Sequence, residues 1–173
     1  MRFPAATALF ALLLIASADA MGPTIRIEVR DLVSNAVTQM TDRAIVNQFH
    51  VWAGPGTYSG PPGQTIEGAD GFIIDWRSGA VSERPAQLRR FELRFYSGPR
   101  TGKAPPDPAE RLAYVVLYEN DPSTGRGYVY LPGNSDEYFG LNVASIHRQG
   151  LNGQWFHASD AWQQAFAALP AAR

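Results

Sequence analysis

Apolar and polar positions alternate with a period of two along most of the chain. TIRIEVRD sets Ile25, Ile27 and Val29 against Arg26, Glu28 and Arg30, the pattern of a strand with one buried face. LRRFELRFY places Phe91, Leu93 and Phe95 on one side and Arg90, Glu92, Arg94 and Tyr96 on the other. RLAYVVLYEN opposes Ala113, Val115 and Leu117 to Tyr114, Val116 and Tyr118, and GYVYLPG returns after NDPSTGR, a turn by composition because Pro122 fixes φ and Gly125 frees it.

Shorter signals fill the intervals. DLVSNAVTQ reads as a turn into a return strand. Thr41-Asp42 can cap one or two helical turns over RAIVNQ, after which Phe49 to Trp52 reads as extended. GFIIDW reads as a strand and RSG as a three-residue hairpin loop with Gly79 at positive φ, so that AVSE returns along the preceding strand. YFGLNVASIHRQGLNGQWFH reads as one strand, a turn at Gly150 to Gly153 and a shorter strand. Ser159 can then cap DAWQQAFAAL, where Trp162, Phe166 and Leu169 share a helical face before Pro170 ends it.

Hairpin-linked strands closed by one amphipathic helix predict a mainly β, α+β fold. The expected form is an antiparallel meander sheet, flat or curled into a half-open barrel, with the C-terminal helix packed on it. The expected core is Trp52, Trp76, Phe91, Phe95, Val115, Leu117, Trp162 and Phe166.

Composition places this fold in a setting. Residues 1–20 carry an early Arg2, an apolar stretch from Leu9 to Ala16 and a small-x-small site at Ala18-Asp19-Ala20, the pattern of a cleavable signal peptide. Residues 21–173 are then expected to form one β-rich domain, periplasmic or secreted, with no integral membrane segment after signal removal. There is no cysteine, so the fold is held by its core without disulfides. A net charge of −1 gives no global field for a polyanion, and nucleic acid is not an expected partner.

Candidate chemistry is sparse. GPGTYSG approaches a dinucleotide fingerprint, but Ser59 stands where the third Gly is needed and no helix can open in PPGQTIEGADG. GPRTGKA fails as a phosphate loop, with three residues between its glycines and Ala104 after Lys103. His147 and His157 would be neighbours across the C-terminal hairpin if its loop has three residues, yet no third ligand follows by spacing, so no metal and no cofactor are expected. A small hydrolase could use His147 with His157, or Asp75 with Glu92 or Glu119.

The tyrosines are more distinctive. Tyr114, Tyr118, Tyr128 and Tyr130 fall on neighbouring strands, with Arg94 able to share their face and Tyr58 in the Gly54–Gly71 loop. Tyrosine is common in strands, and the favoured expectation is that these rings pack beneath a loop or the helix with their hydroxyls at the rim; the alternative is that they stack on a glycan or on a partner protein. The expected role is a non-catalytic binding or interaction module using the Gly54–Gly71 loop, with the tyrosine-bearing face as a second surface. A structural envelope component is a third reading. The strings FHVWAGPGT, GFIIDWRSGAV, RGYVYLPG and GQWFHASDAW resemble a family of small exported proteobacterial proteins of uncharacterised function. That resemblance implies an exported bacterial setting and carries no site residue or cofactor.

Overall fold

The computed structural model describes residues 22–56, 71–100 and 108–170. The signal-type segment, Tyr58 and most of the Gly54–Gly71 loop lie outside the described residues. The period-two segments build an antiparallel sheet of seven strands: β1 (Thr24–Asp31), β2 (Val37–Met40), β3 (Ala80–Val81), β4 (Arg89–Ser97), β5 (Arg111–Asn120), β6 (Gly127–Leu131) and β7 (Gln154–His157). Their order across the sheet is β2-β1-β4-β5-β6-β7-β3, and the sheet does not close on itself. Among the described residues three α-helices accompany it: α1 (Arg43–Val46), α2 (Phe139–Ser145) and α3 (Asp160–Ala167). None is long and apolar enough to cross a membrane.

The alternation of β1, β4 and β5 gives the sheet two unlike faces. Ile27, Val29, Phe91, Leu93, Phe95, Tyr114, Val116 and Tyr118 point into one buried core. Ser159 accepts a hydrogen bond from the Trp162 amide at its Oγ (3.3 Å) and so caps α3, whose Trp162 and Phe166 enter that core. Phe166 meets Phe91 edge-on at 4.9 Å and Tyr118 at 4.7 Å. Each ring buried in this way contributes about 1.5–3 kcal/mol of transfer free energy. The opposite face carries Arg–carboxylate pairs, including Glu92 with Arg94 Nε at 2.6 Å and Glu119 with Arg90 Nε at 2.7 Å.

Several expectations are corrected. Residues 80–81 do not return along residues 72–75: the Asp75 carboxylate accepts from the Arg77 amide (3.1 Å) and the Ser78 hydroxyl (2.6 Å), winding Trp76–Ser78 into a 3-10 turn. Ile74 then bridges Ala158, and β3 pairs with β7 instead. The expected strand through residues 138–148 is α2 and an irregular segment, so β7 pairs with β6 and the C-terminal hairpin does not form. Phe49 to Trp52 is irregular and turns at Val51–Trp52, with Phe49 and Val51 buried. Of the expected core, Trp52, Trp76 and Leu117 are only partly buried.

Candidate functional site

One cleft of about 450 Å³ opens where the turn after α1, the segment 71–77 and the start of α3 converge. Local chemistry dictates each wall. Asp42 caps α1 by accepting from the Ala44 amide at 2.9 Å, and the chain then turns so that Phe49 lies edge-on to Trp162 at 5.1 Å. Phe72 packs on Phe95 at 5.3 Å and on Tyr114 at 6.1 Å, while Trp76 stacks beside Phe72 at 6.3 Å and meets Phe156 edge-on at 5.5 Å. The Ser159 amide donates to Ile73 O at 2.8 Å, which fastens the first residues of α3 to this wall.

At the floor of the cleft Trp76 is partly exposed beside Phe49 and Phe72, which are almost wholly covered, and the rim carries Gln48, Asp75, Arg77, Ser159 and Asp160, with charges of both signs. The Ser78 hydroxyl, together with the Arg77 and Ser78 amides, holds the Asp75 carboxyl below its usual range, and the positive field of nearby His157 acts in the same direction. A carboxylate held in that way is a fixed acceptor, poorly suited to donate a proton near neutral pH.

Beneath the floor lies Arg148, fully buried. Its guanidinium donates to Ala53 O at 3.0 Å and to Val51 O, tying down the root of the 54–71 loop. Its Cζ sits 4.9 Å from the ring centroids of both Phe72 and Trp76 and 5.7 Å from that of Tyr114. No carboxylate among the described residues answers this charge; carbonyl oxygens and aromatic faces do. Arg148 Nε and the Tyr114 hydroxyl are buried without a hydrogen-bond partner. Burial pushes the Tyr114 hydroxyl upward in pKa, opposed by the Arg148 charge.

The residues singled out from the sequence fall in different places. Tyr118 pairs with Val129 and Leu117 with Tyr130, so Tyr114 and Tyr118 point into the core while Tyr128 and Tyr130 lie on the opposite face. The four rings do not form one platform. Tyr130 remains partly exposed, stacks on Trp155 at 5.0 Å and donates to Asp136 Oδ2 at 2.7 Å. Arg94 is held by Glu92 on that same open face.

The hydrolase groups are dispersed. His157 packs against Tyr128 on β7 at 5.4 Å, whereas His147 is exposed beyond α2. Asp75 lines the cleft, but Glu92 and Glu119 are bound to arginines on the polar face of the sheet. None of the three histidines lines the cleft. Among the described residues no three His, Asp or Glu side chains gather in a way that would hold a metal ion. Sequence reasoning missed Phe49, Phe72 and Arg148 as parts of one site; an arginine in a short irregular segment carries no pattern that announces burial. Compared with protein-family models, curated proteins and solved structures, the chain matches none.

Proposed function

We propose that this protein is a non-catalytic binding module whose ligand occupies the cleft between Phe49, Trp76 and the start of α3. The observation that carries the reading is the cleft's construction: its size falls in the range of small-ligand sites, with the partly exposed Trp76 ring at its floor and a few convergent polar groups around it. Asp75, already committed to its own turn, serves as an acceptor and not as an acid, and its neighbour His157, whose carbonyl accepts from the Asp75 amide at 2.9 Å, does not line the cleft. The leader-like residues 1–20 and the resemblance to small exported proteobacterial proteins support a periplasmic or secreted place of action.

The test is a small-molecule fragment screen read by amide and indole chemical shifts, repeated on Ala161→Arg, which fills the cleft from its edge. Hits that cluster on Phe72, Trp76 and Asp160 and vanish in the variant support the proposal. Hits that cluster on Tyr130 and Trp155, or turnover of an ester or glycoside substrate that Asp75→Asn abolishes, count against it.

A further inference from the structure

We infer that the free edge of β2 is a self-association surface, where a second copy of this chain adds its own β2 antiparallel across a two-fold axis. The inference is independent of the cleft. β2 is the last strand of the sheet and pairs with β1 alone among the described residues. Antiparallel strands bond to a given neighbour at every second residue. The Asp31 amide donates to Ala36 O at 2.9 Å, so in the register Val29↔Thr38 and Ile27↔Met40 the bonds to β1 fall on Thr38 and Met40. Val37 and Gln39 therefore aim their N–H and C=O groups away from the sheet. Edges are ordinarily blunted by charge, proline or brevity. β3, at the far edge, has two residues and runs into Glu83, Arg84 and Pro85, whereas VTQM carries neither charge nor proline.

The same hairpin gathers the exposed apolar surface. Among the described residues the large apolar side chains left in water are Leu32, Val33 (83% exposed) and Val37 (52% exposed). The turn holds them there: the Asp31 carboxylate accepts from the Val33 and Ser34 amides at 2.7 and 3.1 Å, and Arg89 anchors it from β4 at 2.8 Å. The occupant follows from the spacing. Placing Thr38 opposite Thr38 of the partner subunit sets Val37 against the partner's Gln39 and Gln39 against the partner's Val37, so every outward N–H meets an outward C=O. On β1 behind them, Arg30 lies beside Val37 and Glu28 beside Gln39. Each row across the axis then runs from Arg30 through Val37 and the partner's Gln39 to the partner's Glu28, with opposite charges at its two ends. Shifting the pairing until Val37 meets Val37 of the partner subunit would align arginine with arginine. It would also call on the Asn35 amide, which already donates to Asp31 O at 2.9 Å.

The experiment is sedimentation equilibrium of the purified protein, with amide exchange followed by NMR across the same concentrations. A shared edge this short makes a weak interface, so the expected result is a reversible dimer populated at roughly 0.1–1 mM chain. In the dimer the Val37 and Gln39 amides should exchange at least about tenfold more slowly, while Thr38 and Met40, already bonded to β1, keep the protection they have in dilute solution. Val37→Glu places a carboxylate beside Arg30, which suits the single chain, and in one row with Glu28 of the partner subunit, which does not suit the pair. It should weaken association at least about tenfold with an unchanged melting temperature in dilute solution. Exchange in the wild type decides the matter even if that variant folds poorly. A protein that stays monomeric over the whole range overturns the inference and leaves the edge to a chain of different sequence. A dimer in which Val37 and Gln39 exchange as freely as in dilute solution, or one that a folded Val37→Glu does not weaken, overturns it as well. None of these outcomes bears on the cleft.

Discussion

Asn142 and Val115 exchange two hydrogen bonds: the Val115 amide donates to Asn142 Oδ1 at 2.8 Å, and Asn142 Nδ2 donates to Val115 O at 2.7 Å. β6 pairs with β5 only from Leu117 to Asn120, so one side chain of α2 takes the place of a missing strand at Val115. Asn142→Ala would leave a buried donor and a buried acceptor unpaired, a cost of about 2–5 kcal/mol. Asn142→Asp should be at least as damaging, because a carboxylate cannot donate to Val115 O. Thermal unfolding of both variants checks the order; a melting temperature equal to wild type for either would refute the role.

Arg148 gives a second ordering. Its planar guanidinium satisfies two loop carbonyls and lies against three aromatic rings. Lysine keeps the charge but offers a more strongly hydrated ammonium without the fork or the flat stack, whereas methionine fills space and removes the charge. Urea unfolding should therefore rank wild type above Arg148→Met and Arg148→Met above Arg148→Lys. Lysine as the better substitute would mean that charge alone matters.

Two glycines should respond in opposite directions. A Cβ on Gly127 would overlap the ring and hydroxyl of Tyr118, which is fully buried, so Gly127→Ala should destabilise by about 1–3 kcal/mol. Gly140 lies in α2 with nothing within 4 Å of a built Cβ, and alanine there should stabilise by about 0.5–1 kcal/mol. Chemical denaturation of both variants measures the difference, and a shared sign would contradict the packing described.

Acid should erase one turn. The Ser123 and Thr124 hydroxyls hold the Asp121 carboxyl down at about 2, against an ordinary value of 3.8. A group whose pKa falls on folding contributes stability that is complete above the unfolded value and is lost as pH drops through the folded value. The melting-temperature deficit of Asp121→Asn should therefore be present at neutral pH and shrink from about pH 4 towards pH 2. A deficit that persists undiminished into strong acid would assign the effect to something other than the ionised carboxylate.

What could be read from the residues alone follows the physics of each element. β1 and β4 were legible because a wet face alternates with a buried one, β5 and β6 because they are runs of β-branched and aromatic residues bounded by turn signals, and α3 because a capping Ser159 precedes a helical spacing of Trp162 and Phe166. α2 was not. Phe139, Leu141 and Val143 alternate as a strand would, while the residue that the helix buries most deeply is polar Asn142, whose reason for being there is a distant strand edge. The tyrosine platform failed for a related cause: alternation fixes which residues share a face within one strand, but the register between strands decides whether Tyr118 sits beside Val129 or beside a tyrosine. Of the cleft, Asp75 and Gly71 at the end of the Gly/Pro stretch are marked in the sequence, but its floor and the cation under it are assembled by contacts far apart in sequence.

The central claim is that ligand enters the cleft and not the open aromatic face of the sheet. A nitrogen–proton correlation titration with the tightest-binding fragment separates the two directly, because Trp76 lines the cleft and Trp155 packs on Tyr130 on the other side. The account predicts that the Trp76 indole signal and the amides of Phe72 and Ala161 shift together while the Trp155 indole stays in place. Movement of Trp155 with a silent Trp76 would contradict it.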